Sequence, residues 1–157
     1  MARLPAPPAT SMRLARGVAG FSLTELLITL CIAGVLATLA YPGLQSTVWR
    51  LRRAEAVTTL AQLQLAQQRH RSRHFRYATL SELGQPSASP SGRYQYSEDT
   101  PDTSRYRILA VAQGGQAGDS PCVHLGLRVD GLDVQWLSGP TEDLANPSAD
   151  NRRCWSR

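Results

Sequence analysis

Residues 16–49 read RGVAGFSLTELLITLCIAGVLATLAYPGLQSTVW, and the fold turns on how this stretch is read. From Leu26 to Trp49 there is no charge across 24 residues. As a helix, a run of this length reaches across the roughly 30 Å of bilayer hydrocarbon. A buried helix of a soluble domain is one rival reading, but such helices rarely run so far uncharged. A cleaved secretory signal ending at Thr38-Leu39-Ala40 is the sharper rival. Against it stand Glu25, adjoining the run, and the continuation of apolar sequence beyond Ala40.

Glu25 needs a physical reason. An acid in a membrane segment costs roughly 2.5–3.5 kcal/mol on insertion scales and so normally has a partner. A cationic group would supply one; simple solvation at headgroup depth is the alternative. Gly20 has no Cβ and leaves the backbone ahead of the run open to close approach.

Charge is unevenly spread along the 157 residues, whose net charge is +5. All 17 basic residues are Arg. Residues 1–20 carry three Arg and no acid, and residues 21–49 carry only Glu25. Residues 50–76 hold seven Arg against Glu55, whereas 77–157 hold seven Arg and ten acids. A basic leader and collar therefore flank the span, and the C-terminal body is mildly acidic. Arg counting ties across the span, with three before it and Arg50, Arg52 and Arg53 after it. The cysteines break the tie. A Cys122–Cys154 disulfide needs an oxidising compartment, which places the body outside the cytoplasm. Such a bridge closes a loop of 33 residues, and the entropic model gives it roughly 3–4 kcal/mol; two free thiols are the alternative. Cys31 lies within the span and reads as a small apolar residue.

Beyond the span, residues 44–74 contain neither Gly nor Pro, and AEAVTTLAQLQLAQQ at 54–68 is rich in good helix formers. One long helix is expected, kinked or loosened at Pro42-Gly43. Ala54, Val57, Ala61 and Leu65 form one apolar stripe, and Val57, Leu60 and Leu63 extend it toward a second face. Residues 84–104 read as loop, with a short strand at 93–97. Strands follow at 105–112, 122–129 and 132–137, the last two joined at Asp130-Gly131, a hairpin dipeptide. Residues 138–157 read as loop. The fold class is α+β: a long N-terminal helix packed on an antiparallel sheet of three or four strands.

The order basic leader, Gly20, Phe21, Glu25, apolar span resembles the class III signal of type IV prepilins and pseudopilins. The resemblance implies cleavage by prepilin peptidase between Gly20 and Phe21 and N-methylation of Phe21. It gives Glu25 the role of pairing with a neighbouring subunit's amine during assembly. Pro42 matches the position of a helix-kinking proline in many type IV pilins. Arg53-Ala54-Glu55-Ala56, the Gln-rich stretch after it, Tyr77 with Leu83-Gly84, and the closing cysteine-led strand, D-G hairpin and Cys-Trp look like PilE-type minor pilins. The division that follows is a prepilin leader over 1–20, a transmembrane and assembly helix over 21–49, the second half of the long helix over 50–76, and a pilin body over 77–157 with a disulfide-closed C-terminal loop. The implied partners are other pilin subunits, prepilin peptidase, the inner-membrane pilus assembly machinery and membrane lipid. The implied location is the inner membrane with the body in the periplasm, then the extracellular filament.

No P-loop, GxSxG, HExxH or paired CxxC is present, so neither an enzyme nor a cofactor is expected. His70 and His74 are spaced to share a metal but read as solvated residues at the helix end, and no metal site is assigned. Two functional alternatives stand beside a structural pilus subunit. One is a type II secretion pseudopilin. The other is a minor pilin that binds DNA for transformation through Arg69, Arg71, Arg73 and Arg76, interleaved with Phe75 and Tyr77 that can stack on bases.

Overall fold

A computed structural model describes residues 21–99 and 101–155. The leader expected over 1–20, Gly20 included, lies outside the described residues. The chain divides into two compact units between Ala40 and Tyr41.

Helix α1 runs over Leu23–His74, 52 residues, and is continuous through position 42. Ser22 caps its start: the Glu25 amide donates to Ser22 Oγ at 3.2 Å, and the Leu26 amide donates to the Ser22 carbonyl at 3.1 Å. Arg71, Arg73 and His74 occupy the last turn, where the helix dipole favours positive charge. Phe75 ends the helix in the left-handed region at φ 56°, its amide donating to the Arg71 carbonyl at 2.8 Å.

Four strands follow: β1 (Tyr94–Glu98), β2 (Arg105–Ala112), β3 (His124–Asp130) and β4 (Asp133–Gly139). They form one antiparallel sheet in the order β1-β2-β3-β4. Alternation along the strands sends Tyr94, Tyr96, Tyr106, Ile108, Ala110, Leu125, Leu127 and Val129 to one face. There they form a core with Ala56, Leu60 and Leu63 of α1. On the opposite face Leu144 covers Gly126, where an added Cβ would overlap the Leu144 side chain.

The architecture expected from sequence is the one found, with four local differences. The buried stripe of α1 is Arg53, Ala56, Leu60, Leu63 and Gln67, while Ala54 is exposed and Leu65 is 52% exposed. Apolar residues taken alone point to a rotated face, because two of the five buried positions are polar. The β3–β4 loop is Gly131-Leu132 rather than Asp130-Gly131: Asp130 pairs with Asp133, Gly131 adopts φ 61°, and Leu132 is fully exposed. Strands β3 and β4 accordingly begin one or two residues later than their hydrophobic signals. Finally, residues 138–157 are not all loop. Ser138 and Gly139 finish β4, and Ser148–Trp155 form helix α2. This helix is polar in composition and shows no apolar period. It is held from outside, by the Cys122–Cys154 disulfide and by Trp155 packing edge-on against Trp136 at 4.9 Å.

Candidate functional site

The described residues offer two places where polar chemistry concentrates in the body, and a separate helix start carrying Phe21 and Glu25. At that start Phe21 is 79% exposed and Glu25 lies in the first turn of α1. Ser22 and Glu25 stand in the spacing of a capping box, and an acid near a helix N-terminus is favoured by the dipole. Local helix physics thus accounts for an acid here, although it does not account for one adjoining 24 uncharged residues.

The first cluster in the body is the collar at the end of α1. Here the four arginines singled out from the sequence part company. Arg76 is committed within the fold: it forms a two-pronged ion pair with Glu82 at 2.8 and 3.0 Å and also donates to the Tyr77 carbonyl. Arg71 donates to the Tyr77 hydroxyl at 2.7 Å, its guanidinium 4.8 Å from the ring centre. Arg69 and Arg73 are exposed and make no side-chain hydrogen bond or ion pair among the described residues. His70 and His74 stack at 4.3 Å. Desolvation, then the neighbouring His74 and Arg76, hold the His70 imidazole below its ordinary value. A groove of about 520 Å³ adjoins the collar, lined by Arg71, Phe75, Tyr77, Leu132 and Val134 among others. Phe75, 82% exposed at a backbone angle few non-glycine residues adopt, is its most conspicuous wall.

The connection after α1 is pinned by side chains. Gln67, buried, donates to the Ala78 carbonyl at 2.6 Å and accepts from the Ala78 amide at 2.9 Å. Glu82 accepts from Arg76 and from the Thr79 amide, and these bonds hold its carboxyl down at about 2.

The second cluster is not evident from sequence. Arg53, on α1, meets Asp119 in the interior through Nε–Oδ2 at 2.9 Å and Nη2–Oδ1 at 2.8 Å, with the two side chains 5% and 7% exposed. Its Nη1 donates to the carbonyls of Arg153 and Cys154, and Gln116 donates to both Asp119 Oδ2 and the Trp49 carbonyl. Burial raises the Asp119 carboxyl, against the pull of the guanidinium. One ion pair therefore ties α1, the 3-10 turn at Gly114–Gly118 and α2 together beside the disulfide. The sequence signal for it is an arginine at helical spacing from Ala56, Leu60 and Leu63, placing a cation on the core face.

Among the described residues no group of three or more His, Cys, Asp or Glu is arranged to hold a metal.

A long N-terminal helix, apolar in its first half and packed on a four-stranded antiparallel sheet in its second, defines the type IV pilin fold. Residues 42–126, more than half of the chain, match the family described as "Type IV minor pilin ComP, DNA uptake sequence receptor". The chain belongs to this type IV minor pilin family. It is also 31% identical over 110 residues to the type II secretion system core protein G of Klebsiella pneumoniae, an alignment covering 62% of this chain and 78% of that protein.

Proposed function

We propose that this chain is a structural minor subunit of a type IV pilus. It is made as a precursor, cut by prepilin peptidase between Gly20 and Phe21, N-methylated at Phe21, and moved from the inner membrane into the filament. Its body then lies on the periplasmic side before export. Glu25 pairs with the amine of a neighbouring subunit as the filament grows, and Pro42 loosens the helix for packing. The chain performs no catalysis; Gly20 and Phe21 are substrate positions for another enzyme.

One observation carries this reading. The first half of α1 holds an 18-residue window apolar enough to cross a bilayer, and none of it is buried within the chain. Such a surface needs lipid, other helices, or each in turn, and a subunit that leaves a membrane for a filament uses both. Mass spectrometry of sheared filaments tests the reading. The chain is expected there with an N-methylated Phe21 at its start, and Glu25→Ala is expected to leave processed chain in the membrane. A polypeptide beginning at Tyr41, or filaments containing the chain with residues 1–20 retained, would overturn it.

A second reading is favoured by the description of the matching family as a DNA uptake sequence receptor and by the two uncommitted arginines of the collar. In it the subunit also binds DNA, with Arg69 and Arg73 on phosphates and the exposed Phe75 beside them; Tyr77, expected from sequence to stack on bases, is instead buried in the core against Tyr106. Arg69→Gln with Arg73→Gln should then lower DNA affinity and reduce the salt slope by about 1 for each arginine removed from a phosphate. A flat binding curve for the unaltered chain removes this reading. The similarity to a secretion pseudopilin supports a third, for which a deletion strain would lose secretion while keeping twitching.

A further inference from the structure

A pocket of about 360 Å³ opens at the N-terminal end of the body, lined by Trp49, Arg50, Ser120, Arg152 and Arg153 and floored by the Arg53–Asp119 pair. Its charge balance is lopsided. Asp119 is the only acid lining it among the described residues, and that carboxylate is already engaged by both prongs of Arg53. Arg50, Arg152 and Arg153 are exposed, and among the described residues none of them makes a side-chain hydrogen bond or ion pair. Three arginines lining one concavity give it a positive potential that favours an anion, and a guanidinium fork matches phosphate oxygens well.

The place of the pocket along the chain says which anion. Its rim includes Ser46, Thr47, Trp49 and Arg50, the last residues of the uncharged stretch and the first charge after it. If residues 26–49 span a bilayer, this is headgroup depth, where Trp is favoured and basic residues meet lipid phosphates. Ser120 adds a hydroxyl at the same opening. We infer that this pocket seats the phosphate of an anionic phospholipid headgroup in the leaflet next to the body. The seat holds the waiting subunit against the membrane and is vacated when the subunit leaves. The collar of Arg69 and Arg73, some five helical turns further along α1, plays no part in it.

The inference rests on the membrane-spanning reading of residues 26–49, and the experiment separates the two. The full chain is reconstituted into bilayers of equal phosphatidylglycerol and phosphatidylcholine. Alkaline carbonate extraction first shows whether the chain is integral, and release into the supernatant overturns the spanning reading and the inference with it. For integral chain, lipids retained on the protein are counted by native mass spectrometry. Phosphatidylglycerol is expected to be retained over phosphatidylcholine by roughly tenfold or more. The Arg50→Gln, Arg152→Gln, Arg153→Gln triple variant is expected to lose that preference, and Arg69→Gln with Arg73→Gln to keep it. Equal retention of both lipids by the unaltered chain, or an unchanged preference in the triple variant, overturns the inference while leaving the span intact. Two competitors identify the source of the phosphate. Displacement by millimolar inorganic phosphate would reassign the pocket to a free anion, and displacement by duplex DNA would reassign it to nucleic acid. Either would overturn the lipid assignment.

Discussion

The two halves of helix α1 have the same backbone conformation and opposite fates. In the first, Leu26, Leu27, Ile28, Leu30, Ile32, Val35, Leu36 and Leu39 are each more than half exposed. In the second, Ala56, Leu60 and Leu63 are at most 1% exposed and belong to the core. Helix propensity does not distinguish them; what differs is whether the chain supplies a covering surface. The sheet covers Ala56, Leu60 and Leu63, residues outside it cover Arg53 and Gln67, and the apolar side chains from Leu26 to Leu39 stay exposed. Burying a Leu or Ile side chain is worth roughly 1.5–3 kcal/mol, so the first half carries a large association energy that the monomer does not use. Stability is vested in the second half, and the assembly role we propose falls to the first. The boundary between them carries the buried Arg53–Asp119 pair and, beside it, the pocket arginines that make no ion pair among the described residues.

That division makes opposite predictions for similar substitutions. The largest effect is expected at Arg53. Arg53→Ala leaves Asp119 buried without its cation and removes donors from the carbonyls of Arg153 and Cys154. Breaking a buried pair from one side costs about 3–5 kcal/mol, to be read as a lowered chemical-denaturation midpoint of the full chain in detergent. A loss below about 1 kcal/mol would mean that the pair is solvated and the boundary is placed wrongly. Next comes a matched pair of leucines. Leu60→Ala should cost about 2–5 kcal/mol by opening a cavity under the sheet, whereas Leu36→Ala should leave body unfolding unchanged. Equal effects from the two would break the comparison outright.

How much of this is legible in sequence follows from the kind of signal each part carries. The apolar half-helix is written in composition alone, so Leu26–Trp49 is readable without any partner. Strand β2 is readable to the residue, because RYRILAVA has β-branched and apolar residues bounded by loop. The other strands shift where glycine and turn geometry, not hydrophobicity, set the ends. Helix α2 is hidden because its stability is external: Asn151 donates to the Trp136 carbonyl and accepts from Ser138 and from the Trp155 indole, and the disulfide holds Cys154. The Arg53 pair is hidden for the same reason, since nothing in local sequence says that Asp119, 66 positions away, will lie opposite. At the collar, four arginines look equivalent along the chain, and tertiary contacts commit Arg71 and Arg76 to Tyr77 and Glu82. Gly20 lies outside the described residues, so the peptidase site rests on the sequence pattern.

A smaller effect is expected on the outer face of the sheet, where the body covers itself in the way the first half of α1 does not. A Cβ at Gly139 would sit 2.9 Å from the Leu144 Cα and 3.0 Å from the Thr141 carbonyl oxygen, both backbone atoms that cannot rotate away. At Gly126 the obstacle is the Leu144 side chain, which can. Gly139→Ala should therefore cost about 1–3 kcal/mol and Gly126→Ala less, measured as paired thermal unfolding curves. The reverse order would mean that the 140–147 loop is not packed as a lid on this face.

The smallest effect concerns acid, and it locates the stability of the α1 end. Glu82 has its carboxyl lowered to about 2 by its hydrogen bonds from Arg76 and the Thr79 amide. A carboxylate whose folded-state value lies below its unfolded one contributes stability that is complete above the unfolded value of 4.5 and is lost as pH falls toward 2. Because Glu82 and Arg76 are both substantially exposed, solvent screening keeps the contribution small. Glu82→Gln should flatten the dependence of unfolding midpoint on pH between 4.5 and 2, with a small drop in midpoint at neutral pH that vanishes as pH approaches 2. The expectation belongs to the second half of α1 alone, since the loop that Glu82 anchors follows that half. An unchanged slope in this window would show that Arg76 is not held by Glu82 in solution. Arg76 would then stand with Arg69 and Arg73 as a free cation of the collar, and the case for a nucleic-acid surface there would grow by one residue.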